Sequence, residues 1–166
     1  MTAVLHVVYG PSGAGKTTYA HNFARTERAV AFILDEWMAR LFGPDMPTPL
    51  EYDWMAERVG RCEAQIWSAA AGVLAAGTAV VMDLGLMRRA DRARVRGIAE
   101  AAGLTLQFHL VDAPQEVRRA RVAERNSVRG DGFAIEVTPE LFDFIEGVYE
   151  PPDQAEIAGA ILAASE

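Results

Sequence analysis

Val4-Leu5-His6-Val7-Val8-Tyr9-Gly10-Pro11-Ser12-Gly13-Ala14-Gly15-Lys16-Thr17 is the stretch from which the rest of the 166-residue chain is best read. Its first six residues form a short apolar run, the pattern of a strand buried on both faces. The next eight match G-x-x-x-x-G-K-[ST] in full, and a helical pattern begins near Lys16. Glycines let such a loop wind tightly with its N–H groups turned inward, making an anion nest that the helix N-terminus continues. Lysine at the last-but-one position reaches β- and γ-phosphates, and the hydroxyl after it ligates Mg²⁺. By chance the pattern arises in on the order of one chain in a few hundred, and the strand before and helix after make chance rarer. Gly10, Pro11, Ser12, Gly13, Ala14, Gly15, Lys16, Thr17 and Thr18 are therefore the candidate binders of a nucleoside triphosphate, ATP with Mg²⁺. A dinucleotide-binding turn is excluded, because Lys16 and Thr17 would have no role in it.

Outward from this loop, apolar runs alternate with helical patterns. Ala29–Leu34, Thr78–Met82 and Leu104–Val111 read as further covered strands. Tyr52–Ala76 reads as a long helix, with Met55, Val59, Cys62, Ile66, Ala69 and Val73 recurring at steps of three and four and Glu57–Arg61 paired on its exposed side. Val95, Ile98, Ala99 and Ala102 mark a helix that Gly103 ends. Pro114 and Pro139 suit first helical turns, the second behind the capping hydroxyl of Thr138. Ala160–Ala164 reads as a fifth strand, with a short helix as the alternative. The alternation predicts an open α/β sheet with right-handed crossovers, in a single domain spanning 1–166. Ligands of such sheets sit at the carboxyl ends of the strands, where Gly10, Asp35 and Asp83 all fall.

Val80-Val81-Met82-Asp83 has the form of a strand ending in a metal-holding acid, so Thr17 and Asp83 are the candidate magnesium ligands; the alternative is a turn or cap acid. Asp35, read as closing the second strand, is the candidate base that takes the proton of an attacking hydroxyl; the alternative is an N-cap for a helix over Glu36–Phe42. Glu36 is a weaker candidate. Arg118, Arg121, Arg125 and Arg129 follow steps of three, four and four, and the first three share one helical face. With the glycines of 126–132 they suggest a lid around residues 118–137, closing on the triphosphate, with Arg121 and Arg125 as phosphate ligands and charge stabilisers; the alternative is a solvated arginine face. Arg88, Arg89 and Arg92 are further candidates for steadying the acceptor or the γ-phosphate.

Trp37, Met38, Phe42, Met46, Tyr52, Trp54 and Met55 crowd the region between the second strand and the long helix, among Asp35, Glu36, Asp45, Glu51 and Asp53 and one base, Arg40. Aromatic, acid-rich walls suit a neutral or cationic hydroxylated small molecule, whereas a nucleic-acid end needs basic contacts. The plainer reading is core and lid packing. A net charge of −7 also works against generic nucleic-acid binding. Cys62, the single cysteine, reads as core in a reducing compartment. His6 and His109 lie in core strands and read as structural; His21 has no visible partner, and no zinc-like spacing exists. The N-terminal run is too short for a signal peptide or membrane span, so a cytoplasmic protein is expected.

Gly10–Thr18, Asp35, Val81-Met82-Asp83, and Asp112-Ala113-Pro114 followed by Arg121 and Arg125 together resemble the small P-loop kinases, the group of the zeta-toxin, chloramphenicol phosphotransferase and polynucleotide-kinase types with an AAA-type ATP-binding domain. The resemblance spans about residues 3–150. It implies a P-loop NTPase fold of three α/β/α layers, a mostly parallel five-stranded sheet of order 2-3-1-4-5, and transfer of the ATP γ-phosphate to a hydroxyl. It implies Asp35 as base beside Lys16, with Arg121 and Arg125 in the lid. Val137-Thr138-Pro139-Glu140 and Glu150-Pro151-Pro152 would flank the adenine. Three functions are thereby open: small-molecule O-phosphotransferase, polynucleotide or RNA 5′-hydroxyl kinase, and a nucleotide-dependent regulatory switch. Oligomeric state is not legible.

Overall fold

A computed structural model describes residues 3–128 and 136–164. Five strands, β1 (Val4–Tyr9), β2 (Val30–Ile33), β3 (Val80–Asp83), β4 (Thr105–Asp112) and β5 (Ala160–Ala164), form one sheet in the order β2-β3-β1-β4-β5. Every pairing is parallel, so the sheet is wholly rather than mostly so. The helices are α1 (Lys16–Glu27), α2 (Leu34–Phe42), α3 (Tyr52–Ala75), α4 (Arg89–Ala101), α5 (Gln115–Val128), α6 (Pro139–Val148) and α7 (Gln154–Ala158), with a 3-10 turn at Gly43–Asp45. The last apolar run is thus a strand, and all five strands match their runs to within two residues. No described helix is long and apolar enough to cross a membrane.

Alternate residues of each strand feed opposite cores, which is why the runs lack polar breaks. Leu5, Val7 and Tyr9 of β1 join Val80, Met82, Phe108 and Leu110 under α3 and α4. There α3 contributes Cys62, Ile66, Ala70 and Leu74, and α4 contributes Val95 and Ala99. Met55, Val59, Ala69 and Val73 pack partly buried against the same core, and Cys62 is a free, buried thiol that burial pushes above its usual pKa. Val8, Ile33, Val81 and Val111 face the other way, against Ala20, Tyr19, Phe23 and Ala24 of α1. Each fully buried aliphatic here contributes roughly 1.5–3 kcal/mol by leaving water.

On the α1 face a polar chain runs through the apolar layer. Tyr19 Oη lies 2.7 Å from His109 Nδ1, and His109 Nε2 lies 2.9 Å from His6 Nδ1. Phe23 packs against both imidazoles, with ring centroids 4.5 and 4.9 Å away. Both histidines are structural, as expected, and burial holds both below the usual imidazole range, His109 at about 4. The chain fastens α1, and with it the phosphate loop, to β1 and β4.

Candidate active site

The loop between β1 and α1 lies tight against its surroundings at two glycines. Gly10 has φ 149°, and a Cβ there would stand 1.9 Å from the Val111 carbonyl oxygen of β4. Gly13 has φ 76°, and its Cβ would stand 2.6 Å from the Arg118 carbonyl oxygen of α5. Side chains are shut out at both places by backbone, which cannot rotate away. Helix α1 then starts with no side-chain cap and no acid in its first turn. Its leading amides are thus left for an external anion, the arrangement that suits a polyphosphate. Lys16 Nζ donates to the Pro11 carbonyl at 2.9 Å, folded over the loop that it serves.

Thr17 and Asp83 meet at the mouth of this loop. The Thr17 hydroxyl donates to Asp83 Oδ2 at 3.1 Å, across 66 residues of sequence. Strand register accounts for the meeting, because Asp83 sits beside Val8 of β1 and Ile33 of β2. Asp83 is 6% exposed, and burial raises its carboxyl pKa; Lys16 and the Thr17 hydroxyl act in the opposite sense, while Asp35 raises it further. A buried acid beside a hydroxyl, with a second carboxylate near, is a hard-oxygen donor set that Mg²⁺ fits. Among the described residues no group of three or more His, Cys, Asp or Glu could cage a metal. Such a pair leaves the remaining positions to phosphate oxygens and water, the usual way magnesium is held.

Asp35 needs a correction. It does not close β2, which ends at Ile33; it is the second residue of α2 and is exposed. The helix begins at Leu34 behind Ile33, without a side-chain cap, so Asp35 does not cap α2 either. It nonetheless stays close enough to Asp83 to act on its charge. Glu36 is engaged by His21, Nε2 to Oε1 at 2.6 Å, which supplies the partner the sequence did not show for His21.

The arginines divide by depth. Arg118 is 7% exposed, its guanidinium turned into the protein rather than to solvent. It forks onto Glu146 at 2.6 and 2.7 Å, while Nη1 also reaches the Ser12 carbonyl at 3.1 Å and Nε the Ala113 carbonyl at 2.9 Å. Arg121, half-buried one turn on, donates to the Ala14 carbonyl at 3.3 Å, on the loop itself. Arg125 is exposed. Arg129 and the glycines Gly130 and Gly132 lie outside the described residues. The second group is mostly structural: Arg92 is 1% exposed, forked onto Glu156 at 2.7 and 3.1 Å and donating to the Glu150 carbonyl at 3.1 Å. Arg89 points to Asp153 at 3.5 Å; Arg88 is exposed. The Arg92 and Arg118 partners, Glu156 and Glu146, carried no signal in the sequence beyond being acids on helices.

Of the aromatic and methionine side chains of α2 and α3, Met38 is core, and Trp37, Phe42 and Met55 pack partly buried on the same cluster. Tyr52 is 83% exposed. Arg58 of α3 lies 4.1 Å from the Trp54 ring centroid and 5.8 Å from that of Phe42, so the region holds a second base besides Arg40. Thr138 caps α6 by accepting from Leu141 N–H at 3.2 Å, and Asn126 pairs with the Val137 backbone through both its amide atoms.

A family model described as an AAA domain matches residues 5–152. No curated protein matches the chain in sequence. Solved structures do resemble it in fold. A candidate kinase from Chloroflexus aurantiacus superposes with a TM-score of 0.74 at 20% identity, over 99% of this chain and 88% of that one. A sugar kinase from Janibacter gives 0.65 at 20%, over 98% and 85%. The Mycobacterium tuberculosis APS kinase, solved with AMPPNP and APS, gives 0.64 at 19%, over 99% and 90%. The sheet order and layers are those of the P-loop NTPases, in the form taken by small P-loop kinases.

Proposed function

The chain belongs to the AAA domain family, and from that premise we propose that it is an ATP-dependent phosphotransferase moving the γ-phosphate of ATP to a hydroxyl of a small molecule. The contact that carries the reading is the Thr17–Asp83 hydrogen bond at 3.1 Å. It brings the end of the phosphate loop and the end of β3 to one point, where a triphosphate and its cation are handled in such enzymes.

The loop amides of Gly10–Thr18 cradle the β-phosphate, and Lys16 leaves Pro11 to reach the β- and γ-oxygens. Thr17 and Asp83 would hold Mg²⁺, which when bound would draw charge from the phosphate oxygens. The acceptor oxygen attacks the γ-phosphorus in line as the bond to the β–γ bridging oxygen breaks, and ADP leaves. The acceptor proton passes to Asp35, whose place in the first turn of α2 lets it face solvent until a substrate arrives. Arg121, already against the loop, and Arg125, one turn beyond, offset the charge that spreads over the transferring group. The acids Asp35, Glu36, Asp45, Glu51 and Asp53 favour a neutral or cationic acceptor over a nucleic-acid end. The Arg58 guanidinium, committed to Trp54 and Phe42, does little to reverse that balance.

The test is Asp35→Asn, assayed for acceptor-stimulated ADP release against a panel of hydroxylated metabolites, amino sugars and a 5′-hydroxyl oligonucleotide. Transfer should fall by about 10²-fold or more while the ATP affinity stays within about twofold of wild type. Normal transfer by the variant would remove Asp35 from the mechanism. Stimulation by the oligonucleotide alone would replace the small-molecule acceptor with a nucleic acid.

A further inference from the structure

Arg118 makes four hydrogen bonds beside the loop, two to Glu146 and one each to the Ser12 and Ala113 carbonyls, all of them to protein groups. An anion nest has inward N–H groups only if the carbonyls between them face out, and outward carbonyls need donors of their own. Arg118 Nη1 supplies one to Ser12 at 3.1 Å. Its own carbonyl stands where a Gly13 side chain would begin, 2.6 Å from that Cβ position, so loop and helix are in backbone contact. The guanidinium is held at this point by Glu146 of α6, through two parallel bonds of 2.6 and 2.7 Å. Helix α6 is tied to α5 a second time by Arg119 and Asp143 at 2.6 Å.

We propose that Glu146 and Arg118 are positioning residues for the nucleotide: the Glu146 carboxylate fixes the Arg118 fork, and the fork fixes the outward Ser12 carbonyl and hence the inward amides. This rests on the phosphotransferase reading, for which the loop must bind ATP. The charged and titratable groups facing the fork are Glu146, Asp112 at the end of β4 and Tyr149 after α6. Asp112 is the competing anion. Without Glu146 the guanidinium turns toward it, Nη1 leaves Ser12, and the loop loses its outer support. A planar fork is required, because one ammonium cannot serve a carboxylate and a carbonyl in fixed directions at once.

The experiment measures Mg²⁺–ATP affinity by calorimetry on the full chain, at a temperature where circular dichroism shows each variant folded. Glu146→Gln should weaken ATP binding by about tenfold or more, the scale of a charge-assisted hydrogen bond. Glu146→Asp keeps the charge but draws the fork back by one methylene, and should fall between. The control is Glu156→Gln, which disturbs the comparably buried Arg92, whose bonds go to Glu156 and the Glu150 carbonyl rather than to the phosphate loop. It should lower the melting temperature as Glu146→Gln does and leave ATP affinity unchanged. The exchange variant R118E/E146R restores an ion pair but sets a carboxylate against the Ser12 carbonyl. Its stability should recover in part while its ATP affinity stays low, a separation that a merely structural pair would not produce. If Glu146→Gln does not fold, Glu146→Asp decides. The inference is overturned if the folded Glu146 variants bind ATP like wild type, if Glu156→Gln weakens binding as much, or if the exchange variant regains affinity. A wild-type protein that fails to bind Mg²⁺–ATP would overturn the phosphotransferase reading, and this inference with it.

Discussion

Lowering the pH from about 7.5 to about 4.5 puts a proton on every imidazole of the unfolded chain, whose ordinary pKa is near 6.5. His109 in the folded protein resists. It is 0% exposed, and burial, helped by its neighbour His6, holds it at about 4. A base whose folded pKa is depressed binds fewer protons folded than unfolded, so its effect on stability is absent above the unfolded value. The penalty then grows as the pH falls toward the folded value. The gap between 6.5 and about 4 amounts to roughly 3 kcal/mol, approached at a little over 1 kcal/mol per pH unit. His6 is lowered too, by burial and against the pull of Glu27, and adds in the same direction. The assay is urea unfolding followed by far-ultraviolet circular dichroism at several pH values, on wild type and His109→Gln. The variant cannot titrate there and should be less stable near neutrality, having lost its bond to Tyr19 or His6, yet its stability should fall less steeply with acid. The buried Asp83, whose raised pKa works the other way, and Glu156, lowered by Arg92, are common to both proteins and cancel in the difference. Parallel pH profiles over this range would refute the reasoning.

Two further outcomes follow from the geometry of the loop and of the buried Asp83 beside it. Gly13→Ala should cost about 2 kcal/mol or more of stability, read as a lowered urea midpoint, and should abolish most ATP-induced thermal stabilisation, because the new carbon meets the Arg118 carbonyl and the backbone stays at φ 76°. Asp83→Asn should leave the nucleotide-free protein as stable or more so, since burial opposes the charge it removes. Its ATP affinity should become indifferent to added Mg²⁺ in a titration with and without chelator.

What could be read from the chain beforehand was what local chemistry specifies. The phosphate loop is legible because each of its constraints is met by a residue within eight positions, and Gly10 and Gly15, the two glycines of the motif, both occupy positive-φ sites. The strands are legible because a parallel sheet covered on both faces leaves continuous apolar runs. Asp35 was misplaced for a local reason: the run Ala29–Leu34 ends in an apolar residue, and α2 starts inside it without a capping side chain to mark the change. The arginine stripe marks Arg118, Arg121 and Arg125 along α5 but not what meets Arg118, because Glu146 is 28 residues away and is set there by tertiary packing. The same holds for Tyr19, His109 and His6, which come from three elements and meet only when β1 and β4 lie in their register.

Along α5 the exposure of the stripe rises with distance from the sheet, from buried Arg118 through half-buried Arg121 to exposed Arg125. That gradient separates two tasks that one spacing pattern cannot distinguish. A guanidinium at the sheet end is surrounded by carbonyls of the loop and turn, and a buried cation there requires a fixed carboxylate. One at the far end has water for a partner and can exchange it for phosphate. On the phosphotransferase reading, the nucleotide half of the site is braced by the Val111 and Arg118 backbone, by the Thr17–Asp83 bond and by the histidine chain. The acceptor half is not built this way. Asp35 and Tyr52 stand in solvent, and the bases beside them are Arg40, exposed on α2, and Arg58, stacked on aromatic rings. On the same reading, a braced triphosphate cradle beside an open acceptor wall would let the acceptor change by substitution of surface residues while the cradle stays intact, provided that the Asp35 carboxylate keeps its place in the first turn of α2.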